Sequence, residues 1–185
     1  MRPPSLALGL AASLALSPRA AAAYPQWSAA VTLGGGARVA PEASREGLFL
    51  VGLRADALFG ERAVRAARVG PFAAAYALDF DALVVSAGVS ALAPVSTTTP
   101  LVFSLGAAWD ALGAPPDVVP LGVVGRAWWG SRSANLHANY GMAAGLWVEA
   151  RWRPDGGSVD VVAGLDGDLA FLSLPVVALW NWVTR

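Results

Sequence analysis

The stretch Phe49-Leu-Val-Gly-Leu-Arg-Ala-Asp-Ala-Leu-Phe59 decides the fold class. Phe49, Val51, Leu53, Ala55, Ala57 and Phe59 share one parity; Gly52, Arg54 and Asp56 share the other. A β-strand turns successive side chains to opposite faces, so this stretch has one wholly apolar face and one mixed face. Wound as a helix, it would set Arg54 and Asp56 about 200° apart and leave no clean apolar face.

The same alternation recurs outward from this stretch. Tyr140, Met142, Ala144, Leu146, Val148, Ala150 and Trp152 stand against Gly141, Ala143, Gly145, Trp147, Glu149 and Arg151. Val159, Val161, Ala163, Leu165, Leu169 and Phe171 stand against Asp160, Gly164, Asp166 and Asp168. Weaker alternation covers 27–34, 72–79, 83–91, 101–110 and 121–129. Within 72–79, Phe72, Ala74, Tyr76 and Leu78 are expected on the apolar face, opposite Ala73, Ala75, Ala77 and Asp79. Gly-, Pro- and Asp-rich turn segments separate these runs, among them Asp79-Phe80-Asp81 and Gly113-Ala-Pro-Pro-Asp117. The spacing predicts eight strands in one all-β domain without internal repeats. The strands exceed the usual globular length of about five or six residues and match the roughly 9–11 of a membrane-crossing strand.

The composition agrees. Hydrophobic residues make up 56 % of the chain, above the roughly 45–50 % of a soluble domain. Aromatic residues cluster near the ends of the apolar faces: Trp27, Phe49, Phe59, Phe72, Trp109, Trp129, Tyr140, Trp152 and Phe171. Transmembrane barrels carry such residues as two girdles at the interfaces. Net charge is zero and every basic residue is Arg. With no basic patch, nucleic-acid binding has no electrostatic support. The lack of Cys excludes disulfides, thiolate metal sites and a cysteine-linked lipid anchor.

Residues 1–23 read as a signal peptide: Arg2 in a positive n-region, an apolar run from Ser5 to Leu16, and small residues Ala20 to Ala23 before a cut at Tyr24. Residues 24–185 are then the mature barrel domain.

On these features the chain resembles the small outer-membrane β-barrel proteins of the eight-stranded OmpA/OmpX-like class, from residue 26 to 171 or beyond. The resemblance implies an antiparallel up-and-down transmembrane barrel, in contact with lipid, in the cell outer membrane. The ending Trp180-Asn-Trp182-Val-Thr-Arg185 departs from the terminal aromatic strand of that class. Leu172 to Val183 could instead add strands after a turn at Asp166-Gly167, for a total of nine or ten. Two other folds compete. A helical membrane protein is suggested by the charge-free run 82–109, although Pro94 and Thr97-Thr98-Thr99 interrupt it. A soluble lipocalin-like barrel would turn the same strands inside out.

The candidate functional residues are the charges expected in the lumen: Arg54, Asp56, Asp79, Asp110, Arg126, Glu149, Arg151, Asp160, Asp166 and Asp168. An eight-stranded barrel is about filled by its own side chains, so these are expected to form a structural ion-pair network rather than a solute path. His137 is the one histidine. On a single strand it lies about 40 Å from Glu149, too far for a Ser133–His137–Glu149 triad. The run Gly34-Gly35-Gly36 lacks a phosphate-loop Lys and reads as a strand kink or a close backbone approach. No cofactor or metal site is expected. The functional expectation is a non-enzymatic barrel with a structural or surface-interaction role and an external protein or small solute as partner. A narrow channel or ligand-binding barrel is second, and a lipid-modifying enzyme third. Ala143 and Ala144 are expected on opposite faces, with Ala144 toward lipid near mid-membrane.

Overall fold

The computed structural model describes residues 24–40, 45–63, 65–112, 120–133, 139–154 and 157–183. The segment 1–23, read from sequence as a signal peptide, and His137 lie outside them. Eight strands follow one another: β1 Tyr24–Val39, β2 Arg45–Gly60, β3 Arg68–Leu78, β4 Ala82–Ala93, β5 Leu101–Leu112, β6 Leu121–Arg132, β7 Ala143–Trp152 and β8 Val159–Asp168. Each pairs antiparallel with the next, and β8 pairs with β1, so the sheet closes. The fold class is the expected one: an all-β, antiparallel, up-and-down, eight-stranded closed barrel.

The register sets its dimensions. Partners traced from Ser28 run through Asp56, Phe72, Gly88, Gly106, Val124, Arg151 and Asp160, and return to β1 at Arg38, ten residues further along. A stagger of ten over eight strands tilts them by about 40° and gives a backbone radius of about 8 Å. Such an interior holds side chains and little else.

Facing follows parity, with inward positions even in the first six strands and in β8 and odd in β7. Among the described side chains, no outward strand position carries a charge. Exposed outward residues include Trp27, Leu53, Phe103, Leu105, Trp129, Val148, Trp152 and Leu165. Phe49, Trp109 and Trp152 fall at about one level, and Trp27 and Phe59 at another, about 24 Å lower for strands tilted in this way. The polar-out arrangement of a soluble lipocalin-like barrel is therefore inverted here. The helical alternative also fails, because 82–109 forms most of two strands joined at Pro94–Pro100.

Four sequence expectations are corrected. In β3, Phe72, Ala74, Tyr76 and Leu78 point inward and are buried, while Ala73 and Ala75 are exposed. Both faces of this strand are apolar, so alternation carried no sign. The lumen takes the large side chains because it has volume to fill. Asp79 is not in the lumen. It sits exposed in the β3–β4 turn, where Asp79 and Phe80 both adopt positive φ (50° and 65°), the geometry of a tight hairpin. Its carboxylate accepts the Phe49 N–H at 2.7 Å. Tyr140 precedes β7 rather than joining its apolar face; its hydroxyl donates to Asp168 Oδ1 at 2.9 Å. Ala144 faces out and Ala143 in, but Ala144 pairs with Ser131 beside Trp129, near the aromatic level rather than mid-height.

The segment after β8 is not a ninth strand. Closure by β1 leaves no sheet edge to extend, and Asp168 starts a helix, α1, Leu169–Val183. Its Oδ1 accepts the Ala170 N–H at 2.7 Å, an N-cap bond. No described helix is long and apolar enough to cross a membrane.

Gly34, read from sequence as a close approach, is one. Trp147 lies in the lumen, and a Cβ on Gly34 or Gly164 would meet its ring at about 2.5 or 2.7 Å; at Gly164 it would meet the Leu33 carbonyl oxygen first. The two glycines pair directly across β1 and β8. We expect Gly164→Val to lower the folding free energy by about 1–3 kcal/mol through overpacking. Urea unfolding of the vesicle-folded protein tests this, and an unchanged midpoint would show that the β1 backbone and Trp147 both move aside freely.

Candidate functional site: the charged lumen

The register brings charges on neighbouring strands into three tiers. At the end formed by the β3–β4 and β7–β8 turns, Glu46, Arg38, Asp160 and Arg151 are successive cross-strand partners on β2, β1, β8 and β7. Asp160 accepts from Arg38 Nε at 2.8 Å, from Arg151 Nη2 at 2.5 Å and from Arg153 Nη1 at 2.8 Å. Asp110 accepts from Arg153 Nε at 2.8 Å and lies 3.4 Å from Arg151. Three guanidinium groups face three carboxylates, counting Glu46 at 3.2 Å from Arg38.

The middle tier centres on Arg126, 4 % exposed. Its Nη2 reaches Asp166 at 2.6 and 2.7 Å, and its Nη1 lies 3.6 Å from Glu149. Its guanidinium stacks 4.2 Å from the Trp147 ring centroid, and Tyr76 and Thr32 accept weaker bonds at 3.4 and 3.5 Å. One side chain from β6 thus ties β1, β3, β7 and β8 across the axis. Beside it, Arg54 donates to Ser90 at 3.0 Å and Ser104 at 2.6 Å and lies 4.1 Å over the Phe72 ring. The inward turn of β3 supplies both Phe72 and Tyr76.

At the end where β1 begins, Arg132 holds Asp56 through two bonds of 2.7 and 3.1 Å, and Ser28 donates to the same carboxylate at 3.0 Å. Asp168, fully buried, accepts the Ala143 N–H at 2.8 Å besides Tyr140 and Ala170. It acts as a cap and anchor, with no Arg partner among the described residues.

Nine of the ten residues singled out in the sequence therefore face inward, Asp79 being the exception. They do not converge on one site. They are spread along the axis, each tied to neighbours by the register. Sequence reasoning missed Arg38, Arg132 and Arg153, which extend the inward parity of their strands or follow it. It also missed Arg68, whose facing was hidden by the two apolar faces of β3. Among the described residues no group of three or more His, Cys, Asp or Glu could hold a metal.

Fold and site together define a class: a closed eight-stranded barrel with an ion-paired lumen and an outer wall that is apolar and uncharged among the described side chains. Compared with family models, curated proteins and solved structures, the chain matches none of them.

Proposed function

We propose that this chain is a non-enzymatic outer-membrane β-barrel with a structural or surface-interaction role, held by lipid around its wall and exported by the segment 1–23. The observation that carries the reading is the distribution of charge. Strand charges turn inward, and the described outward positions from Pro25 to Gly167 are Trp, Phe, Leu, Val, Ala, Gly, Pro and one Ser, Ser131. In water such a wall is an aggregation surface. In a bilayer it matches an apolar band about 25 Å tall between aromatic girdles. The six strands of 10–12 residues, tilted by about 40°, rise about 25–30 Å, the same height; β1 and β2, of 16 residues each, reach beyond it.

The filled lumen favours the structural role over the channel. Arg126 and its partners bridge the axis, and moving a hydrated ion past them requires breaking buried pairs.

Membrane fractionation of the expressing cell tests the localisation. We expect the protein in the outer-membrane fraction, with its mature chain beginning at Tyr24 or within two residues of it. A soluble periplasmic protein, or one that keeps Met1, would refute the reading. In planar bilayers we expect no stable conductance steps; steady single-channel currents would favour the channel instead.

A further inference from the structure

The mouth of the barrel at the end where β1 begins contains a cavity lined by Gln26, Arg68, Arg132, Ser133, Ser96 and Thr97, with Leu92, Pro94 and Pro100 as its apolar part. Two guanidinium groups line it and no carboxylate does. Arg132 is neutralised by Asp56. Arg68 is 6 % exposed, yet among the described residues no carboxylate lies within ion-pair distance of it. Its bonds go to neutral acceptors, the Gln26 amide oxygen and the Ala63 carbonyl. The Nε–H of Arg68 and that of Arg132 are both buried and have no partner among the described residues. A buried cation without an anion costs several kcal/mol, and this one lines the cavity at the mouth.

We propose that this mouth binds a phosphate-type oxyanion between Arg68 and Arg132. A guanidinium edge presents parallel N–H donors that match two oxygens of a tetrahedral anion. Arg68 has the unspent charge and an unspent Nε–H, and Arg132 adds a second Nε–H. Gln26 positions Arg68: its Oε1 accepts from Arg68 while its Nε2 donates to the Ser133 carbonyl at 2.8 Å. Arg65, in the exposed β2–β3 connection at the same end, does not line the cavity. A cation or a neutral solute gains nothing from this arrangement. The phosphate could belong to a lipid headgroup at the membrane surface or be free in solution, and the chemistry of the site is the same for both.

The test follows the Arg Nε–H resonances of the full mature protein folded in a neutral maltoside detergent, with ionic strength held by chloride. Inorganic phosphate should shift the Arg68 and Arg132 signals saturably. Arg68→Gln should weaken binding about tenfold or more, and Arg68→Lys by less, because it keeps the charge and loses the fork. Arg65→Gln, on the exposed connection, should change it little. Two vesicle arms separate the sources. Shifted signals in phosphatidylglycerol vesicles without added phosphate assign the site to a headgroup; shifts that appear only when phosphate is added to neutral glycolipid vesicles assign it to the free anion. The wild-type titration needs no variant to fold. No saturable shift in detergent or in either vesicle, or an equal response to chloride, overturns the proposal, as does an Arg65→Gln effect matching that of Arg68→Gln. Because detergent-folded protein suffices, failure here leaves the outer-membrane reading standing.

Discussion

Arg126→Met is expected to cost the folded barrel about 3–5 kcal/mol, the penalty for removing one partner of a buried ion pair. Met approximates the stem of Arg and leaves no large void. What remains is the charge of Asp166 and Glu149, both buried and both facing the vacated site. Their lone pairs lose a strong donor, and the Trp147 face loses its cation. The loss is one of pairing rather than volume, so it has a signature. Adding Asp166→Asn and Glu149→Gln to Arg126→Met should recover part of the stability, because neutral amides no longer need a cation. Equilibrium urea titrations of the single and triple variants in vesicles measure this. A cost below about 1 kcal/mol, in the range of an exposed pair, would mean that water enters the tier freely and that the lumen is open.

Ala127→Arg, one residue along, should be damaging for the opposite reason. Ala127 is exposed, pairs with Phe103 and Val148, and lies near mid-height between the two aromatic levels. A guanidinium at the bilayer midplane of a barrel wall costs about 2–4 kcal/mol, falling to about 0–1 near the interfaces. Ser131→Arg, on the same strand and face but beside the rim, should therefore cost much less. An equal cost at both positions, or better behaviour of Ala127→Arg in water without lipid, would sink the membrane reading and leave a soluble barrel. Arg is thus required at 126 and excluded at 127, within one strand and one local propensity. The difference lies in which medium each side chain meets.

How much of this was legible in the sequence differs from strand to strand. In β2, Arg54 and Asp56 against Leu53, Ala55 and Phe59 separated the two faces cleanly, because charged and apolar side chains fall on opposite parities. In β3 the reading failed: Phe72, Tyr76 and four alanines suit either face, and only the volume of the lumen sends the rings inward. The tail after Asp168 was equally open. Leu169 to Val183 is apolar apart from Ser173 and Asn181, which suits a strand or a helix. The absence of a free edge, together with the Asp168 cap, makes it a helix.

The sequence by itself determined the period and which residues share a face, because these follow from which residues alternate along a single strand. Strand number, eight to ten, and which face turns inward stayed open until the sheet closed. Only the tertiary structure decided closure, stagger and partnership. Arg38 meets Asp160 and Arg126 meets Asp166 across long chain separations, and nothing in the local pattern of either strand selects its partner. A stagger of ten around eight strands puts them at the same height in a lumen about one side chain wide, where each charge must take the neighbour that the register brings.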